Sequence, residues 1–111
     1  MRFETFVRGV RKALEAVDGD LLVDNGTVDA PKGGLRVSGL TKCRGDCRFV
    51  GDVSTSELEA HGGEVLIEGN LTTDRLVKAS GSLDVRGDLK ADRLEVHKRA
   101  KVQRMGLFYM L

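Results

Sequence analysis

The sequence predicts an all-β protein: a parallel triangular β-helix, or solenoid, with 18 residues in each turn and one α-helix at its N-terminus. Three sets of residues recur at intervals of 18. One is a column of leucines, namely Leu22, Leu40, Leu58, Leu76 and Leu94. The others are two columns of glycines, Gly33, Gly51, Gly69 and Gly87, and Gly45, Gly63 and Gly81. Several columns in one register indicate a repeat in which each turn stacks on the previous one.

Each repeat divides into three segments of six residues. Two of the three have the form φ-x-G-x-φ-x, in which φ is mostly apolar, as in FVGDVS and IEGNLT. A spacing of two residues places both apolar residues and the glycine on one side of a strand. The third segment lacks this form and carries the leucine of the column. The pattern therefore predicts a coil with two similar faces and one different face, on which the five leucines form a core ladder.

A single long helix is the alternative that the leucine column alone would allow, because 18 residues also make about five helical turns. Glycine in two of every three segments would cost such a helix about 1 kcal/mol at each position relative to alanine. Apolar pairs two residues apart are also typical of strands. The β interpretation is therefore favoured, and we expect the β-helix to cover residues 19–104.

The two ends of the chain depart from the repeat. Residues 1–18 are predicted to form an amphipathic helix, because apolar residues recur there at spacings of three and four. The apolar face of this helix comprises Phe3, Val7, Val10 and Leu14. It either covers the open end of the coil or docks, through residues 2–17, on a membrane surface.

Residues 105–111 form an apolar tail, which is too short to span a bilayer. The tail either folds over the last turn or contacts a second copy of the chain, since an exposed apolar patch usually marks an interface. In the second case the predicted assembly interface comprises Leu107, Phe108, Tyr109 and Leu111.

Composition and charge exclude several classes of function. The chain has 18 basic and 17 acidic residues and a net charge of +1, so no overall field favours nucleic acid. No apolar stretch reaches the roughly 20 residues of a membrane-spanning helix, and charged residues interrupt the N-terminus where a secretory signal would lie. We therefore expect a cytoplasmic protein, with association at a membrane surface as the open alternative.

The residues that could carry chemistry do not form a recognisable site. Cys43 and Cys47 would lie about 13 Å apart on one extended strand, beyond the roughly 7 Å that a disulfide permits. We expect them to be buried thiols in the ladders. Cys43 shares a column with His61, but two ligands fall short of the about four of a zinc site. The Arg-Gly-Asp sequences at 44–46 and 86–88 follow from the glycine columns. We expect no catalytic residues, metal, cofactor or small-molecule substrate.

The repeats from about residue 19 to residue 104 resemble the bactofilins, the polymer-forming cytoskeletal proteins. The resemblance rests on GLRVSGL, FVGDVS, IEGNLT and VRGDLK, in which a glycine precedes an apolar residue by two positions. It implies a right-handed coil whose subunits join end to end into non-polar filaments without a nucleotide. The tail around Phe108 would be the equivalent of a family end contact. Bactofilins usually have flexible tails, so a firm N-terminal helix would be a departure, and by covering one end it would favour a dimer.

Three functions remain to be distinguished. The first is a self-associating scaffold, whose partner is the chain itself. The second is an enzyme similar to the hexapeptide acyltransferases, with a left-handed coil and with His61 or His97 as general base. The third is a membrane- or partner-docking adaptor that works through the N-terminal segment. The C-terminal domain of the division-site inhibitor MinC also has similar glycine spacing.

Overall fold

The computed structural model of the chain describes the backbone of residues 3–110 and the side chains of residues 5–104. The described residues contain thirteen β-strands and no helix. The strands are β1 (Phe3–Arg8), β2 (Arg11–Ala13), β3 (Ala16–Val17), β4 (Asp20–Asp24), β5 (Thr27–Asp29), β6 (Leu35–Arg44), β7 (Cys47–Val50), β8 (Val53–His61), β9 (Glu64–Ile67), β10 (Leu71–Thr73), β11 (Leu76–Ala79), β12 (Ser82–Val96) and β13 (Arg99–Met110).

Every pairing between these strands is parallel, and the pairings build three faces over about six turns. Face 1 contains β2, β5, β7, β9 and the first parts of β12 and β13. Face 2 contains β3, the first parts of β6 and β8, β10, and the middle of β12 and β13. Face 3 contains β1, β4, the second parts of β6 and β8, β11, and the ends of β12 and β13. This arrangement confirms the predicted parallel solenoid with three faces.

The core runs along the inside of the coil as ladders of aliphatic side chains. On face 2, the residues that follow the glycines by two positions pair directly from turn to turn and are fully or almost fully buried: Leu35, Val53, Leu71 and Leu89. Face 1 has two ladders whose residues also pair directly from turn to turn and are buried. One consists of Cys47, Val65 and Leu83, and the other of Phe49, Ile67 and Val85. On these two faces, residues 18 positions apart in the sequence are therefore the ones that pair between adjacent strands.

On face 3 the register differs from the predicted leucine ladder. Leu58 lies opposite Thr41 and Val77, and Leu40 lies opposite Glu57. The buried ladder on this face is therefore a mixed one, consisting of Leu21, Thr41, Leu58, Val77 and Leu94. Among the leucines of the column, Leu22, Leu40, Leu58 and Leu94 are buried and Leu76 is half-buried. The prediction of one leucine ladder is wrong because corners of unequal length shift this face by one or two residues between turns.

The predicted N-terminal helix is also wrong. The segment instead forms β1, β2 and β3, which pair with β4, β5 and β6 and make the first turn of the coil. The backbone groups along the edge of β4 would otherwise have no strand partner, and β1 satisfies them, which a helix could not do. The solenoid therefore begins at β1 and not near residue 19.

The four residues of the predicted helical face are consequently separated. Val7 is fully buried opposite Val23, whereas Val10 is 54% exposed. Leu14 is half-buried and packs against the edge of the core. Phe3 lies in β1, and its side chain is outside the described residues. The described side chains of Val7, Val10 and Leu14 therefore do not share the single face of the predicted helix. Within the described part of the chain, no helix could cross a bilayer either.

The corner between faces 1 and 2 is held by a ladder of side-chain hydrogen bonds. The backbone N–H of Asn70 donates to Asp52 Oδ1 at 2.8 Å, and that of Asp88 donates to Asn70 Oδ1, also at 2.8 Å. Each side chain thus accepts a hydrogen bond from the equivalent residue one turn further on. The repeat columns of the sequence do not indicate this ladder, so it is a feature that the structure adds.

We expect Asp52→Ala to lower the free energy of unfolding by about 1 kcal/mol, because the N–H of Asn70 loses its acceptor. Asp52→Asn is the matched control, since the amide oxygen of Asn70 performs the same role one turn later. It should change stability by less than about 0.5 kcal/mol. Urea denaturation of both variants, followed by circular dichroism, measures the difference. Equal losses would show that the carboxylate charge, and not the hydrogen bond, matters at this corner.

Candidate functional site

The first turn of the coil carries charge at its open end. By register, Thr5, Val7, Lys12 and Val17 occupy the positions that continue the core ladders. Val7 and Val17 are buried, but Lys12 is exposed although it lies opposite the fully buried Val28. A charged residue therefore stands at the end of the Val28–Phe49–Ile67 ladder. Inward charges of this kind are a known means of keeping sheet edges from pairing.

The last turn has the opposite character. The residues of β13 at core-ladder positions are all apolar: Ala100, Val102, Met105, Leu107 and Met110, which lie opposite Leu83, Val85, Leu89, Ala91 and Leu94. Among the strands that the structure describes, β13 pairs only with β12. Its other edge therefore presents backbone donors and acceptors next to an apolar ladder end.

The residues of the predicted assembly interface belong mostly to this strand. The apolar tail does not fold back over the last turn, because residues 105–110 continue β13. Leu107 lies opposite the buried Ala91, at a core-ladder position, and Tyr109 lies opposite the exposed Arg93. The side chains of Leu107, Phe108 and Tyr109 are outside the described residues, and so is Leu111 as a whole.

An arginine–aspartate pair joins each terminal turn to its neighbour. Arg11 donates two hydrogen bonds to Asp29, both at 2.6 Å, and Arg104 donates to Asp88 at 2.9 Å. The hydrogen bond from Arg11 lowers the pKa of Asp29, and that from Arg104 lowers the pKa of Asp88. These pairs are exposed, so they align the terminal strands more than they stabilise the fold.

The two cysteines are closer than an extended strand would allow. The chain turns through a corner between them, at Gly45, whose φ is 67°. Both thiols are buried and reduced, and Cys47 Sγ lies 3.3 Å from the carbonyl oxygen of Val23, the residue directly opposite Cys43. Our expectation of a wide separation is therefore wrong, because it assumed that residues 43–47 form one strand.

The predicted column of Cys43 and His61 is not formed. Cys43 lies opposite Ala60, and His61 lies opposite Arg44 because the register of face 3 is shifted by one residue. The imidazole of His61 is exposed, and its Nε2 lies 3.0 Å from Glu59 Oε1. His97 is also exposed. No three side chains of histidine, cysteine, aspartate or glutamate come together as a metal site within the described residues.

The chain matches no family model, no curated protein and no solved structure. The fold and the difference between its two ends are therefore the basis for a functional proposal.

Proposed function

We propose that the chain is a structural, self-assembling protein, a bactofilin-like scaffold that associates with a second copy through the last turn of its β-helix. The observation that carries this proposal is the run of apolar residues at the core-ladder positions of β13. A solenoid that ended there would leave the apolar end of its core against water. A second copy placed on this end would remove that surface from solvent.

The strand edge supports the same arrangement. If two copies meet at their last turns around a two-fold axis, the two β13 strands run antiparallel, and each contributes the same surface. β13 is twelve residues long, so it offers a long edge for backbone hydrogen bonds. This mode of association adds strands to an open edge, a common form of β recognition.

The first turn is less suited to the same contact. Stacking a second copy there would bury Lys12 at the end of a core ladder. An unpaired buried charge costs several kcal/mol. The proposed assembly is therefore a closed dimer through the C-terminal ends, and a filament of the bactofilin type would also require a contact at the first turn. The proposal gives the chain no catalytic role and places it in the cytoplasm.

We expect light scattering to show a species of twice the 12.1 kDa chain mass. Leu107→Glu should convert that species to a monomer, because it puts a carboxylate at a core-ladder position of the last turn. Lys12→Glu is the control: it changes a charge at the opposite end and should leave the dimer intact. Circular dichroism verifies that both variants retain the fold.

A wild-type chain that is a monodisperse monomer at high concentration would contradict the proposal. Electron microscopy of the same sample separates a closed dimer from a filament. If Lys12→Glu dissociates the assembly and Leu107→Glu does not, association takes place through the first turn instead.

A further inference from the structure

We propose that Cys43 and Cys47 form a redox-active dithiol, in which Cys47 reacts with a hydroperoxide and Cys43 resolves the product to a disulfide. This proposal is independent of self-assembly, because the two residues lie in an inner turn of the coil. It rests on the way the corner at Gly45 brings the two side chains together and on the different surroundings of the two sulfur atoms.

The corner turns both thiols into the buried core of the coil. Cys43 lies near the end of β6 and Cys47 begins β7, with the left-handed Gly45 between them. Cys47 Sγ lies 3.3 Å from the carbonyl oxygen of Val23, the residue directly opposite Cys43 on the neighbouring turn. It also lies 3.3 Å from the carbonyl oxygen of Arg44. The sulfur of Cys47 is thus held beside the backbone on which Cys43 stacks.

The two thiols differ in their readiness to ionise. The pKa of Cys43 is raised, because its S–H donates a hydrogen bond to Cys47 and because it is fully buried. The pKa of Cys47 is lowered, first by this hydrogen bond and then by backbone N–H groups, including that of Gly26. Cys47 is therefore the thiol of the pair that loses its proton more readily, and the thiolate is the form that reacts, whereas Cys43 keeps its proton until the second step.

The two thiols also differ in their access to solvent. Cys47 is 3% exposed and is among the residues that line a surface groove of about 420 Å³, whereas Cys43 is fully buried and does not line it. Gly26 also lines this groove, and it has no side chain to cover the sulfur. A small molecule such as a hydroperoxide that enters this groove would therefore meet Cys47 before Cys43.

The reaction has two steps. The Cys47 thiolate attacks the O–O bond of the hydroperoxide, so that an S–O bond forms and the leaving oxygen departs as hydroxide or alkoxide and takes up a proton. The Cys43 sulfur then loses its proton and attacks the Cys47 sulfur, which forms the S–S bond and releases water. The dithiol thereby gives two electrons to the peroxide.

The alternative is that both thiols only fill the core. Substitutions that test this can be chosen from the residues that pair with each cysteine on the neighbouring turns. Cys43 stacks on Ala60, which in turn stacks on Ala79, so alanine suits its position. Cys47 stacks on Val65, so valine suits the other. Cys43→Ala and Cys47→Val therefore remove one thiol each with a residue that the neighbouring turns already accept.

The test is intact-mass spectrometry of the folded chain after exposure to hydrogen peroxide in the presence of dimedone, which traps sulfenic acids. We expect the wild type to lose two hydrogen atoms without a dimedone adduct and without doubling its mass. Cys43→Ala should gain one dimedone adduct at Cys47, and Cys47→Val should remain unmodified. Circular dichroism before the reaction verifies the fold of each variant.

Limited alkylation of the wild type with iodoacetamide, followed by peptide mapping, gives a second measurement that needs no substitution. Cys47 should be labelled before Cys43. The proposal is overturned if the wild type keeps both thiols in peroxide until urea unfolds it, if oxidation joins two chains, or if Cys43 is labelled first.

Discussion

Phe49→Ala is expected to lower the free energy of unfolding by about 3–5 kcal/mol. Phe49 is the largest of the fully buried side chains among the described residues, and it lies between Val28 and Ile67 in its ladder. The strands on either side are held at a fixed spacing by backbone hydrogen bonds, so the coil cannot collapse into the space that the ring leaves. Urea denaturation followed by circular dichroism measures the loss.

Phe6→Ala is the matched control for this substitution. Phe6 lies in β1, and 48% of it is exposed. The guanidinium carbon of Arg8 lies 5.0 Å from the centre of its ring, a contact that is worth about 1 kcal/mol or less at an exposed site. We therefore expect a loss below about 1 kcal/mol. Similar losses for the two variants would mean that face 1 is not packed around Phe49.

Gly69→Ala is expected to lower the free energy of unfolding by about 2–3 kcal/mol, since it forces extra volume into a closed contact. A Cβ atom at Gly69 would lie 2.5 Å from the carbonyl carbon and oxygen of Gly51, the glycine one turn earlier in the same column. Both are backbone atoms, and they cannot move without breaking the register of adjacent strands. The glycine is therefore required by the close approach of one turn to the next.

Gly33→Ala separates this effect from the general cost of replacing a glycine. Gly33 belongs to the same column, and a Cβ atom there would meet nothing within 4 Å. We expect its stability to change by less than about 0.5 kcal/mol. Thermal unfolding of both variants makes the comparison. If Gly33→Ala is as harmful as Gly69→Ala, the column reflects backbone conformation and not the approach of the turns.

Faces 1 and 2 could be predicted from the sequence because their corners have a constant length through most of the coil. Where the number of residues per turn stays at 18, equivalent positions of successive repeats pair with each other, as Val53 and Leu71 do. Face 3 could not be predicted in this way. There Leu58 meets Val77, 19 residues further on, and Val77 meets Leu94, only 17 further on. The average spacing on face 3 is still 18 residues, but the residues that pair are not those of the leucine column.

The candidate sites show a similar division. An apolar C-terminal tail is visible in the sequence, and its composition alone predicts an interface. The charge of Lys12 at a ladder position could not be recognised, because the first turn carries no glycine column and its apolar spacing resembles that of a helix. The proximity of Cys43 and Cys47 cannot be predicted from strand periodicity, because it depends on a corner at Gly45 that the periodicity alone does not locate.

The sequence by itself determined the parallel solenoid, its three faces and its 18-residue repeat, because each turn must bury its apolar residues against the next and therefore repeats them. Only the tertiary structure decided that residues 3–17 add a turn to the coil, since the open edge of β4 binds a strand and a spacing pattern cannot reveal that edge. The structure also decided that the ends differ. Which residues face outward at a terminal turn depends on register, and the corners of the coil set that register.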